Sequence, residues 1–246
     1  VDGGNDTAGI DTTGNIRLES GEEEEATEAD LTVKASVESS GGSISAVSAD
    51  SISQTFTDAE DDTQDEDGDI AVTGGSGSVE MSAADAITMA DGTLTETADG
   101  DIRLAADSGA IALSDVVAEG ETGGQTISLL SGTSITDNDA DGSDDVDLTA
   151  SDLRIDAGTS AGEGGDHLDT TVQTLSAHTA DGGLYLTETG ALTVDRLPEL
   201  TVTRVDADGT NDDVSNDPVD AAQEDVSVTD GDLVALTEDG SITVDG

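Results

Sequence analysis

The 246-residue chain has no cysteine, no tryptophan, one phenylalanine, one tyrosine and two prolines, and sets only 6 lysines and arginines against 58 acidic residues, for a formal net charge of −52. Each shortage excludes something. Without cysteine there are no disulfides, thiolate metal sites or cysteine nucleophiles. With so few cations, nucleic acid and anionic membrane surfaces are repelled rather than bound. No apolar run approaches the ~18–20 residues of a helical membrane span. Ile, Leu, Val and Phe together make roughly a fifth of the chain, at the border where disorder becomes the default for so charged a sequence. Scarce proline argues the other way, because disordered chains are enriched in it.

The placement of the few large apolar residues decides between disorder and a fold. Apolar-x-apolar triplets recur at Ile16/Leu18, Leu31/Val33, Ile70/Val72, Val79/Met81, Ile87/Met89, Ile102/Leu104, Ile111/Leu113 and Ile127/Leu129. They continue at Val146/Leu148, Leu153/Ile155, Leu184/Leu186, Leu192/Val194, Leu200/Val202, Val226/Val228 and Ile242/Val244. Period 2 over so short a span describes a strand with alternate residues facing inward. Eight triplets have Gly two residues upstream, among them Gly77, Gly100 and Gly240, as a tight corner between strands requires. No window carries an amphipathic helical pattern over three turns.

Spacing and wording then point to a repeat fold. First apolar positions fall at 79, 87, 94, 102 and 111, and again at 168, 175, 184, 192 and 200, steps of seven to nine residues. Leu94-Thr95-Glu96, Leu186-Thr187-Glu188 and Leu236-Thr237-Glu238 each precede a Gly-initiated triplet. Self-similarity at a fixed period is the signature of a solenoid. Three such steps give a three-sided coil of ~24 residues, the size of a short parallel β-helix repeat. A sandwich would need hairpin dipeptides, whereas these corners are single glycines. The expected fold is all-β: a right-handed parallel β-helix of about eight three-faced coils with acidic loop insertions, ~40 Å long at one inter-strand spacing per coil. Residues 1–246 read as a single β-helix segment and as a window on a longer repeat array. Acidic insertions are expected near 19–30, 57–69, 137–147 and 205–225.

The segments Gly100-Asp101-Ile102-Arg103-Leu104, Gly165 to Ala177 and Gly182-Gly183-Leu184-Tyr185-Leu186-Thr187-Glu188-Thr189-Gly190-Ala191-Leu192-Thr193-Val194 resemble the filamentous-haemagglutinin-type repeats of very large secreted bacterial surface proteins. The resemblance covers about 40% of the chain well. It implies a right-handed β-helix, a secreted or cell-surface location, and a role in adhesion or in building a surface fibre. It carries over no catalytic residues. The extreme acidity and the Asp-rich inserts depart from that family.

Among the inserts, Asp137-Asn138-Asp139-Ala140-Asp141-Gly142-Ser143-Asp144-Asp145 fits the D-x-D-x-D-G opening of a calcium loop. Its twelfth position holds Leu148 rather than Glu, so a loop closed by Asp145 makes Asp137, Asp139, Asp141 and Asp145 the candidate ligands for Ca²⁺ or another cation. The competing reading is a solvated acidic loop. Like charges ~10 Å apart in water repel by about 0.4 kcal/mol, and summed over 52 excess charges this exceeds the ~5–15 kcal/mol by which domains are stable. Molar salt or divalent cations are therefore expected to hold the fold, as in a halophile, and it should loosen at ~10 mM salt with chelator.

An enzyme is the rival class, since β-helices also serve as polysaccharide lyases and glycosidases. Paired acids are too common here to identify one. Aromatic platforms and cations for sugar acids are scarce: Tyr185 alternates with Leu184 and Leu186 and reads as outward, Phe56 as a corner or core plug. Arg103 and Arg154 occupy the x of a triplet, facing outward, where stacked acids of adjacent coils would meet them. His167 and His178 read as structural. The expected function is a structural or adhesive extracellular protein with no catalytic residues, partnered by other copies or segments of the same protein or by a cell-surface or matrix ligand. The alternative is a Ca-dependent carbohydrate-active β-helix enzyme.

Overall fold

The computed structural model describes residues 9–21, 29–55, 68–120, 123–138 and 145–245. Among these residues there are 27 strands and no helix. All but the short pair Leu200–Thr201 and Val219–Asp220 belong to two parallel sheets. The chain is a three-faced parallel β-helix. Its first face runs through Val37–Ser39, Ile70–Val72, Leu94–Thr97 and Asp115–Ala118. Ile16–Ser20, Ile44–Ser48, Val79–Ala83, Ile102–Ala106, Thr126–Ser131, Asp152–Ala157 and Thr174–Thr179 make the second. The third runs through Ile52–Gln54, Ile87–Met89, Ile111–Leu113 and Ile135–Asp137. One longer strand, Gly183–Glu188, turns the corner: it pairs by its start with Ser160–Ala161 on the third face and by its end with Leu168–Thr171 on the first. This joins two faces into the 15-stranded sheet. Eight complete coils are followed by two faces of a ninth, at Leu233–Thr237 and Ile242–Val244.

Register explains why so thin a supply of aliphatics suffices. Ile16, Ile44, Val79, Ile102, Ile127, Leu153 and Leu175 lie directly above one another, and Ile52, Ile87, Ile111 and Ile135 do the same on the third face. Each is covered by the identical position in the coils above and below, so one residue per coil completes a continuous buried column. Val79, Ile102 and Ile127 mark steps of 23 and 25 residues, the expected coil length.

The corner glycines are of two kinds. Gly68, Gly182 and Gly240 take positive φ of 83°, 111° and 139°, whereas at Gly77 and Gly100 the glycine answers a close approach between coils. A Cβ on Gly100 would sit 2.0 Å from the Gly77 carbonyl oxygen, and one on Gly77 2.2 Å from that of Gly42. The triplet Leu200/Val202 is not a coil strand at all. Leu200–Thr201 pairs antiparallel with Val219–Asp220 in a segment that leaves the helix, and both prolines of the chain, Pro198 and Pro218, flank that pairing. Proline cannot donate to a parallel ladder, and this is where the ladder is abandoned.

Candidate functional site

Residues 195–225 form a strap laid along the second face. They interrupt a single strand. Val194 lies beside Leu175 and Val226 beside Ala177, so the chain leaves and rejoins the eighth coil within two positions of the same neighbouring strand. Between those points it runs as an antiparallel hairpin, with Leu197 bridging Gln223 and Leu200 paired with Asp220. It reaches back to the first coil, where Asn15 Nδ2 donates to the Gly209 carbonyl oxygen at 3.1 Å.

Under the strap lies one outward-facing row in register: Arg17, Ser45, Glu80, Arg103, Ser128, Arg154 and Ser176, one residue from each of the first seven coils. Every member bonds to the strap or its ends. Arg17 donates to the Val205 carbonyl oxygen, and the Val205 N–H donates to Ser45 Oγ at 2.9 Å. Arg204 pairs with Glu80, whose side chain is 0% exposed. Asp220 accepts from Arg103 Nε at 3.0 Å and from Ser128 Oγ at 2.8 Å. Arg154 donates to the carbonyls of Ala221 and Pro198, and Ser176 Oγ to that of Asp225 at 2.9 Å. Leu197, Val202 and Val205 are buried here, outside the main core.

All five arginines of the chain serve this strap. Arg17, Arg103 and Arg154 come from the helix; Arg196 and Arg204 come from the strap, Arg196 pairing with Glu224 at 2.7 Å within it. Arg103 and Arg154 face outward as expected, but what meets them is the strap rather than acids stacked on adjacent coils. Burial lowers the Arg154 pKa against the opposing pull of Asp220 and Asp156, and its Nε has no hydrogen-bond partner among the described residues. The bond to Glu80 raises that of Arg204 despite burial. Asp225, at the point of return, has φ 45°, a left-handed value that aspartate tolerates better than most residues.

The acids are distributed otherwise. Asp115, Asp147 and Asp169 stack at the start of the first face, continuing the registers of Val116, Leu148 and Thr170. Burial raises the pKa of Asp115, with Asp145 and Asp91 adding to it. Burial also raises Glu96, helped by Glu38, and Asp101, where the Thr126 N–H opposes the effect. Glu188 is buried and fully used: its carboxylate accepts from Thr170 Oγ1 (2.8 Å), the Val172 N–H (2.9 Å) and the Gly190 N–H (2.9 Å). It contributes to an open groove of about 710 Å³ on the first face, lined by acids, hydroxyls, amides and small residues, including Glu96, Glu119, Gln125 and Thr171.

Of the candidate calcium ligands, Asp137 ends a third-face strand and Asp145 approaches Asp115. Asp139 and Asp141 lie outside the described residues, as does Phe56. Among the described residues no group of three or more His, Cys, Asp or Glu side chains is placed to hold a metal ion. Tyr185 is half-buried with its ring 5.9 Å from that of His167. No family model, curated protein or solved structure matches the chain.

Proposed function

We propose that this chain is a structural, adhesive-type element of an extracellular surface fibre, a stiff β-helical rod stabilised at high salt by counter-ions. The observation that carries this reading is the longitudinal strap. A rod of stacked coils is weakest in bending and shear between coils, where each contacts only its neighbours. A strap fastened to seven successive coils resists that mode in particular, which suits a load-carrying rod. The proposed partners are other copies or segments of the same protein. The charge supports the high-salt setting, and cations, Ca²⁺ among them, are the proposed counter-ions.

Electron microscopy of native material in about 2 M salt tests the reading. Continuous filaments of regular width are the expected result. Dispersed rods that never associate along their axis, at any salt or with Ca²⁺ added, would remove it.

A further inference from the structure

We propose that residues 195–225 are a detachable clasp, docked on the second face at high ionic strength and lifting away as salt is withdrawn, while the coils beneath stay folded. Three features make it separable. The clasp leaves and rejoins one strand at nearly one point, so no coil depends on it for connection. Between Arg196 and Glu224 its backbone hydrogen bonds run within the clasp, and those joining it to the helix pass through a side chain. Its apolar anchorage is Leu197, Val202 and Val205, apart from the columns that hold the coils together.

Charge gives the direction of the switch. The clasp carries ten acids and two arginines, and it lies on a helix that is itself strongly acidic. The attractive pairs, Arg103 with Asp220 and Arg204 with Glu80, are short and largely buried, so dissolved ions screen them little. The repulsion acts between exposed carboxylates over longer distances, such as those of Asp206, Asp208, Asp212 and Asp213 at the clasp tip. The screening length shrinks from ~30 Å at 0.01 M to ~3 Å at 1 M salt, so salt removes the repulsion and leaves the attraction. Lifting uncovers Arg17, Arg103 and Arg154 in a single row.

Hydrogen exchange by mass spectrometry on the full chain, stepped from about 2 M to about 0.01 M NaCl, reads this directly. The Val205 N–H donates to Ser45 Oγ of the β-helix and is bonded only while the clasp is docked, whereas the N–H groups of Leu197 and Val202 are bonded within the clasp. The segment holding Val205 should exchange about tenfold faster or more at a salt concentration where second-face segments of the middle coils change less than about twofold. Loss of protection by clasp and coils at the same salt, or no loss in the clasp at all, overturns the proposal. The triple variant Asp208→Asn, Asp212→Asn, Asp213→Asn keeps the acceptor oxygens of the tip and removes three charges. It should move clasp release to lower salt; an unmoved midpoint overturns the electrostatic cause.

Discussion

Glu188 shows how one side chain can bolt two coils together in a fold with little to spare. Its position stacks on Thr170, Leu148 and Val116, an inward row that is otherwise apolar or hydroxylic. A carboxylate there is tolerable because three donors, from the coil below and from the corner that follows, satisfy it. Glu188→Ala leaves those donors without a buried acceptor and should cost about 2–4 kcal/mol, whereas Glu188→Gln, which keeps one carbonyl oxygen, should cost about half as much. Denaturant melts at high salt check the ordering, and equal losses would mean the charge matters more than the acceptor. The same residue shows a limit of reading sequence. The words Leu94-Thr95-Glu96 and Leu186-Thr187-Glu188 are identical, yet register aligns Thr95, not Glu96, with Glu188. Thr95 and Glu188 therefore face inward while Glu96 faces the solvent side. A one-residue slip exchanges faces, and nothing in a three-residue word fixes its phase.

At the scale of elements, strands with two aliphatic inward residues were legible in the sequence, and those with small or polar ones were not. Val37–Ser39, Ile44–Ser48 and Ile52–Gln54 turn Ser39, Ala46 and Gln54 inward, so they escape an apolar-x-apolar search although they complete the second coil. Gln54 is accommodated by donating to the Gly68 carbonyl oxygen and accepting from Thr95 Oγ1. The strap was illegible for another reason: its partners are up to 194 residues away, as in the bond from Asn15 to Gly209. Two compositional hints lay in plain view, both prolines in one 31-residue segment and two of the five arginines beside them. Removing residues 196–225 leaves Asp195, whose N–H donates to the Leu175 carbonyl oxygen, opposite Ser176. The eighth-coil strand then runs unbroken from Leu192 to Val228. This deletion should keep the β-type circular dichroism spectrum and lower the melting midpoint by roughly 5–15 °C, from the loss of three buried apolar side chains and the stranding of Glu80. A deleted chain that does not fold would show the strap to be integral to the coils instead.

For the whole molecule, acid should stabilise, against the usual trend. Burial and like-charged neighbours hold Glu96, Asp101 and Asp115 above their ordinary values of 4.5 and 3.8. In the window between those raised values and the ordinary ones the folded chain binds more protons than the unfolded chain. Stability therefore rises as pH falls through the window and levels off below the unfolded values. Asp208 and Asp213, held low by hydroxyl and amide donors at the strap tip, act oppositely, and only below about pH 4. At low ionic strength the melting midpoint should climb from pH 7 to about pH 5, as scanning calorimetry would register. A midpoint that falls over this range would show the ionised carboxylates to be held by bound cations rather than in mutual repulsion.

The interrupted strand of the eighth coil has one more consequence. Val194 and Val226 occupy stations two apart on a ladder that scarcely registers the 31 residues spliced between them. A helix built this way has an open port for passenger sequence: a lineage could lengthen, shorten or replace the cargo there, and so redecorate one side of the rod, without renegotiating a single column of its interior.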